Sequence, residues 1–152
     1  MSHDKLTLQQ LRELSNRMPF NRSLGLRIAK VHADGVTIEI PMRDDLRNLA
    51  GLLHGGVSAT IADAAVGIAI LRHFGGRRAC TTVDLKINYF RPIADGKIIA
   101  RSKLLRIGQH LVVGSVELKD TQGNLAGFAT ATYMLLEASN VKGFPGRKTI
   151  AE

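Results

Sequence analysis

Only one cysteine, Cys80, occurs in the chain, so no internal disulfide and no cysteine-rich zinc site can form. A small, buried, inert thiol is the expectation for it. Tryptophan is absent, and five phenylalanines and two tyrosines make up the whole aromatic complement. Stacking surfaces for nucleic-acid bases are therefore scarce. The longest apolar stretch, from Val57 to Leu71, is interrupted by Asp63 and falls short of the roughly 20 residues of a membrane span. The N-terminus, MSHDKLTLQQ, shows no apolar core followed by a cleavage site. The expectation is a cytoplasmic protein without a membrane partner. No Gly-x-Ser-x-Gly elbow is present, which argues against an α/β-hydrolase. Histidines 3, 32, 54, 73 and 110 are dispersed with no metal-ligand spacing, so neither a metal nor a cofactor is expected.

With 152 residues, 45% of them hydrophobic and 22% charged, the chain reads as one soluble globular domain over 1–152. The net charge of +8 would suit an anionic partner. The basic residues are spread along the chain rather than gathered in one tail or helix. That leaves two readings, a generic solvated surface or a handle for an anionic small molecule, ahead of a nucleic-acid binder.

Leu8, Leu11, Leu14 and Met18 recur at spacings of three and four, which predicts an amphipathic helix over about 7–18. Thr7 and Gln10 offer a capping box, and Pro19 is expected to stop the helix. Strands are predicted at 25–32 and 35–41, joined by an Asp34-Gly35 turn. A long apolar helix follows over about 55–73. Further strands are predicted at 79–90, 97–107, 110–119 and 124–136. In the first of these, Val83, Leu85, Ile87 and Tyr89 alternate against Thr82, Asp84, Lys86 and Asn88. The turns are Gly108-Gln109 and Asp120-Thr121-Gln122-Gly123. The tail over about 138–152 is polar and is expected to be flexible. This order gives an α+β fold, one antiparallel sheet of about six strands with one long helix to cover it. A helix apolar on nearly every side must be buried on nearly every side. One sheet covers only part of it, and a second copy of the chain is the simplest cover for the rest.

Two features of the stretch LLHGGVSATIADAAVG, residues 52–67, carry chemistry. A carboxylate among alanines and isoleucines, Asp63, must be paired, protonated or at the edge of a cavity. In the last case it is a candidate general base or nucleophile. The glycines 55 and 56 sit where a helix has free N–H groups and a partial positive charge. They form either a tight turn into the helix or a cradle for a developing oxyanion. From His54 to Asp63 is nine residues, roughly 13 Å along a helix at ~1.5 Å per residue. If both ends serve one reaction, they must come from two chains related by a two-fold axis.

These residues resemble the hotdog-fold thioesterases, specifically the PaaI-like acyl-CoA thioesterases. The match consists of Asn48 in RNLAGLLHGG, then His54-Gly55-Gly56, then Asp63, and later TTVDLKINYFRP over 81–92. It extends over about 20–140. The resemblance implies a curved antiparallel sheet wrapped around the long helix. It implies a homodimer, often paired again into a homotetramer, and hydrolysis of an acyl-CoA thioester. It further implies that the Gly55 N–H polarises the thioester carbonyl, while Asp63 of the partner chain activates water or attacks directly. Asn48 would position water or thioester, His54 would orient the helix mouth, and Thr82 would lie beside the water.

Coenzyme A carries a diphosphate and a 3′-phosphate, and the positive charge gains a purpose. Gly56, Arg91, Arg101, Lys103, Arg106, Gly108 and Gln109 are the candidates to meet it. Leu52, Leu53, Val57 and Phe90 are candidates to line an acyl pocket for a small or medium acyl or aryl group. The competing expectation keeps the fold without hydrolysis, as an acyl-CoA hydratase or dehydratase or an acyl-CoA-binding module.

Overall fold

The computed structural model describes residues 4–144. Thr7 caps helix α1 (Leu8–Asn16), and the expected capping box is present in both directions, with Gln10 N–H donating to Thr7 Oγ1 and Thr7 N–H to Gln10 Oε1. Pro19 does more than stop this helix. It is the first residue of a second short helix, α2 (Pro19–Ser23). Proline lacks the N–H that a helix interior needs, but the first helical position needs none.

Six strands follow the predicted order: β1 (Arg27–Val31), β2 (Val36–Pro41), β3 (Arg78–Tyr89), β4 (Lys97–Ile107), β5 (Leu111–Lys119) and β6 (Leu125–Glu137). They form one antiparallel sheet in the order β1-β2-β4-β5-β6-β3. The long helix α3 (Gly55–His73) lies between β2 and β3 in sequence and packs on β2, β3, β4, β5 and β6. This is the curved sheet around a central helix that the hotdog resemblance implies.

The core follows from alternation. Val36, Ile38 and Ile40 point one way from β2, and Ile98, Ala100, Val112, Val116, Ala129 and Ala131 continue that face across β4, β5 and β6. Ile61, Ala62, Ala65, Val66 and Ile70 meet them from α3. Small residues on the sheet let the helix settle closely. A Cβ on Gly114 would lie 2.8 Å from Val66 Cγ1.

By length and composition alone α3 would pass for a membrane span, with a mean hydropathy of 1.3. Its packing on five strands makes it the core helix of this fold. The sheet does not cover it completely. Val57, Ala59, Thr60, Asp63, Ala64 and Gly67 are only half-buried, and Gly56 is exposed.

The two sheet edges differ. At β1 the Arg12 guanidinium donates to the Ile28 carbonyl, so α1 occupies that edge. At β3 the outer edge pairs with no strand among the described residues. Most of the 12 residues of β3 are exposed. An unpaired edge of this length is a template for another chain.

Residues Ala138–Asn140 form a single 3-10 turn, and Phe144 packs against the core. The tail expected to be flexible is thus anchored at its start, and residues 145–152 lie outside the described residues.

Candidate active site

The chain before α3 builds the mouth of a cavity. The Asn48 side-chain oxygen accepts from the backbone N–H of Ala50 (2.9 Å) and of Leu52 (3.1 Å). Its carbonyl is therefore spent on folding the loop, and only its NH2 group is left to meet a substrate. Arg47 donates to the Gly51 and Ala94 carbonyls and faces Asp44 and Asp95, which ties this loop to the segment before β4.

His54 caps α3: its Nδ1 accepts from Gly56 N–H at 2.9 Å. Accepting there places the ring proton on Nε2. His54 thus closes the first turn of α3. The Gly56 N–H is thereby occupied within the chain. The Gly55 N–H is one residue earlier, where no intrahelical acceptor exists, and no described residue accepts from it. On its other side Gly55 is held by Tyr89, whose hydroxyl donates to the Gly55 carbonyl at 2.7 Å.

A cavity of about 370 Å3 opens beside this turn. Asn48, Gly55, Tyr89 and Arg91 stand at it together, and Leu52, Leu53, Phe90, Ile98 and Leu118 supply apolar walls. Ser58, one turn after Gly55, also faces it. Val57, expected in the acyl pocket, packs instead against the core.

A second cluster surrounds Asp63. Thr82 Oγ1 donates to its Oδ1 at 2.8 Å, and the Tyr133 hydroxyl lies 2.7 Å from the same oxygen. Burial, together with the hydrogen bond to Asp63, pushes the Tyr133 phenol well above its ordinary range. Cys80 is nearby on β3. Burial first, and then the Asp63 charge, raises its thiol from 9.0 to about 11. That agrees with an inert thiol.

Simple alternation along β3 does not survive. Thr82 pairs with Tyr133 and Asp84 with Thr132, so Val83 is an extra residue in a β-bulge. The bulge puts Thr82 on the helix-facing side with Leu85, Ile87 and Tyr89, where strict alternation would have turned it away. Its hydrogen bond to Asp63 depends on this irregularity.

The two clusters are separate within one chain. Gly55 and Asp63 are eight residues apart on α3, about 12 Å of helix rise. The residues considered for coenzyme A divide between them. Arg91 stands with Gly55. The turn with Gly108 and Gln109, and Arg106 before it, belong to the other end of the sheet. There Ile107, Val112, Tyr133 and Thr82 form one cross-strand row. Gly108 N–H closes that turn on the Leu111 carbonyl. Lys103 and Arg106 are exposed. Arg101 is not free for a phosphate: its guanidinium is held by Asp34 and by the Ser102 carbonyl. The hydrogen bond from Arg101 holds the Asp34 carboxyl below its usual range.

The thioesterase superfamily model matches residues 50–126, and this chain belongs to that superfamily. Among relatives, it is 35% identical over 135 residues to the medium/long-chain acyl-CoA thioesterase YigI of Salmonella typhimurium, covering 78% of this chain and 86% of that one. The YigI protein of Escherichia coli K12 is 32% identical over the same share. Among solved structures, a thioesterase from Haemophilus influenzae shares the fold with a TM-score of 0.82. It is 23% identical and is matched over 90% of this chain and 96% of its own. A thioesterase family protein from Silicibacter pomeroyi gives a TM-score of 0.78 at 27% identity, over 85% of this chain and 97% of its own.

Proposed function

We propose that the protein is an acyl-CoA thioesterase whose site is completed by a second copy of the chain. One observation carries this reading. A free helix-start N–H at Gly55 opens on an apolar cavity, while the helix-borne carboxylate, Asp63, lies about 12 Å further along the same helix. Neither cluster suffices alone. An antiparallel copy of α3 would bring the partner subunit's Asp63 to Gly55 and fill the half-covered side of the helix. The unpaired edge of β3 supports the same assembly. The homodimer, and a homotetramer built from two of them, belong to this reading.

In this site the acyl group lies in the cavity with its carbonyl oxygen toward the Gly55 N–H. The partner's Asp63 takes a proton from water. The resulting hydroxide adds to the thioester carbon, and the negative charge that develops on the oxygen meets the Gly55 N–H. Collapse of the tetrahedral intermediate breaks the carbon–sulfur bond. The acid and coenzyme A leave, and the proton held by Asp63 is returned to the departing sulfur or to solvent. Direct attack by Asp63 is the other route, through an anhydride that water then opens. Thr82 sits beside the Asp63 oxygen in either case. The Asn48 NH2 group, at the cavity wall, donates to the thioester or water in this reading. Arg91 at the cavity and Arg106 near the Gly108-Gln109 turn, with Lys103 beyond them, are the cations left for the phosphates. The reading needs no metal or cofactor. The YigI relatives, named for medium- and long-chain acyl-CoA, and the apolar cavity walls favour an aliphatic acyl group.

The test is thiol release from a panel of aliphatic and aryl acyl-CoAs by wild type and Asp63→Asn. Turnover that is lost in the variant supports the mechanism. An active Asp63→Asn protein removes it. A folded protein with no turnover on any thioester moves the reading to an acyl-CoA-binding or hydratase role.

A further inference from the structure

Asp63 is held unevenly. Thr82 Oγ1 and the Tyr133 hydroxyl both approach Oδ1, and among the described residues no side chain donates to Oδ2. The Tyr133 hydroxyl also stands 2.7 Å from the Asp63 main-chain carbonyl. It therefore ties the carboxylate to the turn of helix that carries it. This tie comes from β6, 70 residues away, through a side chain that is 5% exposed.

Room for the phenol is made on α3. Gly67 lies one turn after Asp63, and a Cβ there would come within 3.1 Å of the Tyr133 hydroxyl oxygen and 3.5 Å of its ring. A Cβ at 67 would require the hydroxyl to give by a few tenths of an ångström, against a hydrogen bond of 2.7 Å to Asp63. Along β6, Ala129 and Ala131 precede Tyr133 on the helix-facing side, so the phenol is the one large polar group that this strand sends to α3. A buried hydroxyl must be hydrogen-bonded, and here its one proton is shared between two acceptors, Asp63 Oδ1 and the Asp63 main-chain carbonyl.

We propose that Tyr133 is a positioning residue for Asp63: seated against Gly67, it and Thr82 hold the carboxylate by Oδ1 alone and leave Oδ2 as the reacting oxygen. The inference rests on the thioesterase reading above. A carboxylate acts as base or nucleophile through one oxygen, and fixing the other removes rotations that the transition state would have to freeze. Because Tyr133 is buried and stays a phenol, it keeps donating over the working pH range.

Two substitutions reach the same hydrogen bond from opposite sides. Tyr133→Phe keeps the ring and deletes the hydroxyl, while Gly67→Ala keeps the hydroxyl and displaces it. Each is expected to lower kcat about tenfold on an acyl-CoA substrate with KM within about twofold of wild type. Combining them should cost little more than either alone, since both remove one interaction. A purely structural role would multiply the two losses, move KM with kcat and lower Tm in step. That pattern overturns the proposal. So does a Tyr133→Phe enzyme with wild-type kcat while Asp63→Asn is inactive. If Asp63→Asn is itself active, the thioesterase mechanism fails, and the two failures are thereby told apart. Should Gly67→Ala not fold, the kcat and KM of Tyr133→Phe decide the matter alone.

Discussion

The Gly55 N–H can be deleted without disturbing the helix it begins. Gly55 is the first residue of α3, and His54 before it is extended, at φ −62° and ψ 132°. Proline tolerates the first position, and its predecessor must be extended. Gly55→Pro therefore removes one hydrogen-bond donor from a backbone that already suits proline. In stability the change gains about 0.4–1 kcal/mol by restricting the unfolded chain. Against this stands the added Cβ, which would lie 3.3 Å from the Tyr89 hydroxyl oxygen and 3.4 Å from its ring. The two effects nearly offset, so Tm should move by only a few degrees. In catalysis the change is large. Losing one oxyanion donor costs about 100- to 1,000-fold in kcat, ~3–4 kcal/mol. The assay is thiol release under saturating acyl-CoA, with unfolding followed in parallel. Gly55→Ala is the companion, because it adds the same Cβ and keeps the N–H. Proline should be inactive and alanine should retain most turnover. Equal losses in both, or a proline variant within a few-fold of wild type, would refute the oxyanion role.

Two further outcomes follow from packing and charge. Gly114→Ala drives a Cβ to 2.8 and 3.0 Å from the two Val66 methyls and to 3.2 Å from the Lys103 carbonyl. It should cost about 1–3 kcal/mol in urea unfolding, as overpacked cores do, with kcat nearly unchanged at a temperature where the fold persists. The Cys80 thiol, raised by burial from 9.0 to about 11, should carry about 100-fold less thiolate at pH 8 than in the unfolded chain, and react with a disulfide reagent correspondingly slowly. The sign for stability follows: the unfolded chain loses this proton first, so folding is weakened as pH rises from 9 toward 11.

Strands β2, β4, β5 and β6 are legible because each buries one face and ends at a turn. Val36, Ile38 and Ile40 alternate cleanly, and Asp34-Gly35 marks the hairpin. The Thr7–Gln10 box marked the start of α1, and the His54-Gly55-Gly56 mouth marked that of α3. What escaped is what two distant segments decide together. The bulge at Val83 is a property of the β3–β6 ladder, not of β3, so alternation along β3 alone puts Thr82 on the opposite face from the one it takes. Tyr133 reaches Asp63 only through the fold's long-range register. A signal existed in Gly67, which follows Asp63 by one turn and leaves a gap for something large. Arg101 looked free in sequence, since its partner, Asp34, is 67 residues away. Gly56 looked like an open donor because the reach of the His54 ring to its N–H is a matter of geometry.

The claim at the centre of this account is that each site takes Gly55 from one copy and Asp63 from another. Mixing two inactive variants tests it. Gly55→Pro and Asp63→Asn are each purified, combined in equal amounts, dissociated in mild denaturant and reassembled, and thiol release is measured. With random pairing half of the dimers are mixed, and each mixed dimer holds one intact site of two. Activity should therefore return to about a quarter of wild type. A mixture as inactive as its components, with subunit exchange confirmed, would show that both groups must come from the same chain and would contradict the shared site.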